Sequence, residues 1–315
     1  MRVIFNSKVL DAPATMNYQD AFRFNKDIDF FNWNDYHKYD VALFMSYDED
    51  LESIKKVKDF SLDIKIGLID PRGEIKEEII NQIDFFIIDS IEMSDYISKF
   101  SKPYFIFYEY PYFKHTMKQH IDKQCITIAY HGNKVHLESM YPRVSEALDK
   151  LAKKYKIKLT AIYNIKELGR WKKGLPLNTE IEHVQWHENV YLENLFKADI
   201  GILPTLDHLI SDDPVHYNLN FKMPSNAGRL IVFSRLGIPV VAEFLPSHFQ
   251  FIDHGQDGFL VYNSSSWYNS LEKLINDTNL RNFFAKKMQS KIYDKTNYNS
   301  QNYNLNQFLM KIINR

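Results

Sequence analysis

The clearest chemistry in the chain comes from four polar residues in one short segment: Lys222, Ser225, Asn226 and Arg229. An apolar run, Ala198-Asp199-Ile200-Gly201-Ile202-Leu203-Pro204, precedes them, and a helix-like apolar stretch follows to Leu236. Gly237-Ile238-Pro239-Val240-Val241 reads as a turn into a buried strand, and Asp257-Gly258-Phe259-Leu260-Val261 as a second turn and strand. Strand, polar loop, helix, strand is the order of a parallel α/β sheet. Such sheets hold ligands beyond the carboxyl ends of their strands, where a helix begins. Free amides and the positive end of the helix dipole favour an anion there, whereas a lysine and an arginine are unfavourable beside that end without one. The chemistry implied is phosphate binding.

The rest of the chain supplies elements that can carry such a site. Arg2–Phe5, Val41–Met45, Ile64–Ile69, Phe85–Ile88 and Tyr104–Tyr108 read as strands, separated by charged helical patterns such as 49–60 and 74–83. Asp70, Arg72, Asp89, Glu109 and Tyr110 stand at strand carboxyl ends, where caps and turn residues are expected in any case. The loop 6–17 has no glycine-rich dinucleotide fingerprint, which argues against an ordinary Rossmann oxidoreductase. Residues 111–123 read as a connection, and a second series of strands starts at Ile126 and continues at Lys158–Tyr163 and Ile181–Trp186. Helices are expected over 136–155, 265–290 and 305–313, the last after an Asn-rich polar stretch from Asn297. The basic run 166–173, with Trp171, reads as a solvated face.

Composition narrows the classes. The chain has 315 residues, 45% hydrophobic and 25% charged, so it suits two soluble domains. A net charge of −1 gives no general attraction to nucleic acid. The single cysteine, Cys125, excludes an internal disulfide and a cysteine-type zinc site. No apolar run suggests a signal peptide or a membrane span, and a cytoplasmic protein is expected. Asp207, His208, Asp212, Asp213 and His216 are too irregularly spaced to suggest a shared metal, so no metal and no cofactor are expected.

The ordered motifs, Ala-Asp-strand-Pro, Lys-x-x-Ser-Asn-x-x-Arg, Gly-x-Pro-Val-Val and Asp-Gly-x-x-Val, resemble the nucleotide-sugar-binding half of GT-B glycosyltransferases, family-four-like members above all. The resemblance implies an α/β fold of GT-B architecture, two Rossmann-like domains facing each other across a cleft. It implies an acceptor-side domain over 1–118, a nucleotide-sugar-binding domain over 124–296, and a terminal helix, 297–315, returning to the first. Lys222 and His131 would act on the leaving diphosphate. Gly132, Asn133, Ser225, Asn226, Arg229 and Glu243 would contact the donor, with Trp186 against its base. The implied partners are a nucleotide sugar and a carbohydrate or lipid-linked acceptor, the latter bringing the protein to the inner face of a membrane. Val232 stands where many such enzymes carry a second glutamate, so neither stereochemistry nor a catalytic carboxylate follows. If the enzyme inverts, a general base would come from the first domain, with Asp11, Asp70 and Glu109 as candidates. An epimerase or hydrolase of nucleotide sugars, or a non-catalytic nucleotide-sugar-binding subunit, also fits these features.

Overall fold

The computed structural model describes every residue except 61–62, 72–74, 115, 189 and 206–225, with residue 59 described by its backbone alone. Lys222, Ser225, Arg72 and the His/Asp series 207–216 lie outside the described residues. Two units form. The first comprises Met1–Phe113, the described part of Asp213–Gly228, and Thr296–Arg315; the second comprises the described parts of Lys114–Asp212 and Arg229–Lys295.

The first unit contains a six-stranded parallel sheet of β1 (Val3–Asn6), β2 (Ile28–Phe30), β3 (Val41–Met45), β4 (Lys65–Ile69), β5 (Phe85–Ile88) and β6 (Tyr104–Ile106), in the order β2-β1-β3-β4-β5-β6. β1, β3 and β5 are buried along their whole length, as strands covered on both faces must be. One face packs Ile4, Phe44, Ile66, Leu68 and Phe86 against Ile54, Val57, Ile79, Met93 and Ile97. On the other, Phe22 meets the rings of Phe5 and Phe107 edge-on, both at 5.4 Å.

The last helix, Tyr298–Ile313, belongs to this unit and takes in the Asn-rich stretch that the sequence reading leaves outside it. The amides explain why. Asn297 caps the helix through Asn299 N and Ser300 N, Gln301 bonds both backbone groups of Tyr108, and Asn302 donates to the Ala21 carbonyl at 2.9 Å. Tyr298 stacks on Tyr110 at 4.3 Å.

The second unit has its own six-stranded parallel sheet: β7 (Ile126–His131), β8 (Ile157–Tyr163), β9 (Glu180–Gln185), β10 (Ile200–Leu203), β11 (Val240–Glu243) and β12 (Phe259–Val261), ordered β12-β11-β10-β7-β8-β9. The order reverses between β7 and β10, and the ends of those two strands flank the crevice in which such sheets hold ligands. Pro142 splits the expected helix 136–155 into Lys134–Glu138 and Arg143–Ala152. Trp171, expected on a solvated face, is buried: its backbone N–H donates to the Tyr163 hydroxyl at 2.8 Å and its indole to the Lys173 carbonyl at 2.6 Å.

The boundary between units falls at 113/114 rather than 118, because residues 114–123 are built into the second unit by a buried charge. Asp199, fully buried, accepts from Lys123 at 2.6 Å and from Thr127 N at 3.0 Å, and Lys118 lies 3.5 Å away. Lys118 also donates to the carbonyls of Phe196 and Ala198, which end the helix Tyr191–Phe196. Burial pulls the Lys118 ammonium down to about 8, against the opposing pull of Asp199. Removing the carboxylate strands two partly or fully buried ammonium groups, a loss of about 3–5 kcal/mol for such pairs. Asp199→Ala is therefore expected to lower the unfolding free energy in urea by that order, through a lower midpoint at an unchanged slope; an unchanged midpoint would show the pair to be energetically idle.

Candidate nucleotide-phosphate site

The second unit gathers most of the described candidates at the carboxyl end of β7 and the start of the helix Gly228–Arg235. Gly132 adopts φ 134°, and a Cβ there would lie 2.9 Å from the Tyr130 hydroxyl and 3.1 Å from Arg229 Cδ. No other residue fits both the dihedral and the space. Its N–H donates to the Ile162 carbonyl at 3.1 Å, so this amide is committed to the turn. Asn133 caps the next helix through Val135 N, and its carbonyl accepts from the Tyr130 hydroxyl at 2.6 Å.

Arg229 fills the space that Gly132 leaves. Its guanidinium carbon lies 5.6 Å from the Tyr130 ring centroid, a cation–π contact. Nη1 is buried without a hydrogen-bond partner. His131 is its counterpart: Nε2 is buried and unpartnered, and the ring packs edge-on against Phe233 at 5.1 Å. Burial, then the charge of Arg229, pushes the His131 imidazole down to about 3, so the ring is neutral at physiological pH. A neutral imidazole donates from one nitrogen and accepts at the other. This end of the sheet therefore presents one unsatisfied cationic donor and one neutral ring, a pair suited to an anion with both charged and uncharged oxygens.

Trp186 is half-buried just beyond β9. Its ring lies 5.9 Å from Tyr191, which lies 5.9 Å from His131. A file of rings thus runs from the base candidate to the phosphate candidate. Sequence reasoning missed Tyr130, Tyr191 and Phe233, since an aromatic in a strand or helix carries no mark of what its ring will touch.

Two candidates are used differently from the sequence reading. Glu243, read as reaching donor hydroxyls, is buried, with its carboxylate engaged inside its own unit. It accepts from Arg143 Nε at 2.9 Å, from Thr205 N at 2.7 Å, from the Thr205 hydroxyl, and from the Trp267 indole at 3.5 Å. Its backbone carbonyl faces Nδ1 of buried His248 at 2.8 Å. The carboxylate thus joins the ends of β10 and β11. Asn226, read as a phosphate donor, belongs to the first unit, where its amide donates to Glu109 and, at 3.2 Å, to Asp89. Two carboxylates bind an amide donor more strongly than solvent does, so this end of the side chain is not turned to phosphate. Among the described residues no group of three His, Cys, Asp or Glu is placed to hold a metal, and no helix is long and apolar enough to cross a membrane.

No family model and no curated protein matches the chain. Solved structures do. S. aureus TarM, as a mutant bound to fondaparinux, α-GlcNAc-glycerol and UDP, gives a TM-score of 0.60 at 13% identity over 87% of this chain, which spans 55% of the TarM chain, little more than half. Anabaena HepE with UDP and glucose gives 0.66 at 13% identity, covering 98% of this chain and 99% of that one. A Rickettsia africae glycosyltransferase gives 0.62 at 12% identity, covering 98% and 84%. Likeness at these identities is likeness of fold, and that fold is GT-B, two parallel-sheet α/β Rossmann-like domains of six strands each.

The buried imidazoles give this unit an acid limit. His131 titrates near about 3, and His120 and His248 near about 4, all three lowered first by burial from an ordinary 6.5. Between those values the unfolded chain binds more protons than the fold, so stability is full above pH 6.5 and is lost as the pH falls. The unfolding free energy in urea is expected to drop between about pH 7.5 and about pH 5, by roughly 1–2 kcal/mol per histidine. His248→Gln should flatten the slope, and a slope unchanged by it would contradict the assignment.

Proposed function

We propose that the chain is a metal-independent, family-four-like glycosyltransferase. It would move a sugar from a nucleoside diphosphate sugar to a hydroxyl of a glycan or lipid-linked acceptor. The observation that carries this reading is Arg229 at the start of a helix, its Nη1 buried without a hydrogen bond. A buried, unsatisfied donor costs about 1–3 kcal/mol, more when charged, and the adjacent helix dipole adds to the cost. A diphosphate would relieve both. The fold neighbours crystallised with UDP support a nucleoside diphosphate as that anion.

As the bond between sugar and diphosphate breaks, negative charge grows on the leaving group. Arg229 would meet it with a full charge and with a buried Nη1 that lacks a partner. Lys222, seven residues earlier in the sequence, would supply a second, and the neutral His131 ring would hydrogen-bond a phosphate oxygen or the sugar. Trp186 would pack on the base. If the enzyme inverts, the acceptor's proton needs a general base. The absence of a glutamate at Val232 leaves open a subunit that binds donor without transferring it, and only turnover separates the two.

A screen of nucleotide sugars by thermal shift, followed by product analysis with glycan acceptors, tests the assignment. Lys222→Ala is expected to keep the melting temperature and to lower transfer by about 100-fold, with the loss in kcat if the charge acts in the transition state. Arg229→Met keeps the packing on Tyr130 and removes the charge. It should be at least as stable as wild type without ligand and should lose stabilisation by UDP. An Arg229→Met protein that melts lower but binds UDP normally would make the arginine a brace and sink this reading.

A further inference from the structure

A cavity of about 240 Å³ lies at the foot of the second unit's sheet, where the chain enters β7 and β8. It is smaller than the sites that hold drug-sized ligands, and it has room for a phosphate with a short organic stem. β7 is six residues long, so His131 at its other end is roughly 17 Å away. Three cations, Lys123, Lys156 and Arg281, and one acid, Asp122, line the cavity. Arg281 is 1% exposed. Its Nη1 donates to the carbonyls of Leu274 at 2.6 Å and Ile275 at 3.2 Å, in the last turn of the helix Ser264–Asn276. Its Nη2 donates to the Ile121 carbonyl at 3.2 Å and the Thr278 hydroxyl at 2.7 Å. All four partners are neutral, and Nε is buried with no partner. Burial lowers the guanidinium's basicity, and the charges of Asp199, Asp122 and Asp277 offset that only in part. Lys123 is spent on Asp199 at 2.6 Å, whereas Lys156, exposed, has no carboxylate partner among the described residues.

Bracing accounts for part of this. The Nη bonds of Arg281 tie the end of one helix to the start of the next, Thr278–Thr296, and to the segment before β7. Bracing does not account for the unpartnered Nε, nor for a guanidinium in the first turn of a 19-residue helix, whose dipole opposes a cation there. We propose that this cavity is a second anion site, in which Arg281 and Lys156 hold the phosphate group of a small phosphomonoester, or free phosphate, at the start of that helix. Arg281 supplies a buried charged donor, Lys156 an ammonium from the exposed rim, and the helix dipole favours the same anion. The site stands apart from the nucleotide reading, since none of the residues assigned to the donor lines it.

Calorimetric titration of the full chain with inorganic phosphate and with glycerol 3-phosphate, at fixed ionic strength, tests the site; a general salting effect would not saturate. Saturable binding of at least one of the two is expected. Tighter binding of glycerol 3-phosphate would support the site with a phosphomonoester as its occupant, and equal or tighter binding of inorganic phosphate would support it with the free ion. Lys156→Glu reverses an exposed charge that no carboxylate holds, so it is expected to keep the melting temperature and to weaken the bound anion about 10-fold. Lys156→Arg is expected to bind like wild type. Hydrogen–deuterium exchange should show phosphate-dependent protection at residues 121–126 and 276–281. No saturable binding of either probe, or a Lys156→Glu chain that binds both like wild type, would overturn the site while leaving the nucleotide reading as it stands. Protection confined to residues 131–135 and 228–235 would overturn it as well, by placing the anion at Arg229.

Discussion

One buried nitrogen without a hydrogen-bond partner, Nη1 of Arg229, stands at the centre of the second unit's strand ends. Arg229 sits where a helix dipole is positive, under a glycine that has no side chain to displace it and over a tyrosine ring that gives only partial compensation. Folding a chain around such a group costs stability, and a cost of that kind persists where a ligand recovers it. The neighbours follow from it. His131 is neutral because burial and that same charge make a second cation untenable. Gly132 is fixed by the room the arginine takes, and Tyr130 is held by the Asn133 carbonyl so that its ring stays under the guanidinium.

The scaffold that holds this arrangement depends on paired charges elsewhere in the same unit. β7 and β10 must lie side by side for their carboxyl ends to form one crevice, and Asp199 enforces this from below by bonding Thr127 N at the foot of β7 while leading into β10. At the top, Glu243 ties the end of β11 to Thr205 just after β10, and Arg143 keeps that carboxylate from being a lone buried anion. Both acids are spent on partners within the unit, and both hold strand ends in place.

Much of this was legible in the sequence, and what was missed shares one cause. Strands of uniform apolar residues and the glycine turns that end them announce themselves locally, so most strands of both sheets and the Gly132 turn could be read directly, whereas the short mixed strand β2 (Ile28–Phe30) carried no such run. Long-range partners do not. Glu243 looked available because Arg143, 100 residues away, leaves no mark beside it. Asn226 looked like part of a phosphate loop because its neighbours Lys222, Ser225 and Arg229 suit one, whereas Glu109 and Asp89 lie 117 and 137 positions earlier. The Asn-rich run before Leu305 scored as loop by propensity, since Asn favours caps and turns. Tertiary partners for Gln301 and Asn302 reverse that preference. Trp171 was hidden among basic residues whose charge says nothing of the indole between them.

Hydrogen–deuterium exchange on the whole chain, with and without UDP, tests the central claim most directly, because it reports which backbone a nucleotide orders without requiring a known acceptor. The account predicts added protection at residues 131–135 and 228–235, with the stretch around Trp186 next. Protection confined to residues 1–113, or none at a concentration that stabilises the protein, would contradict it.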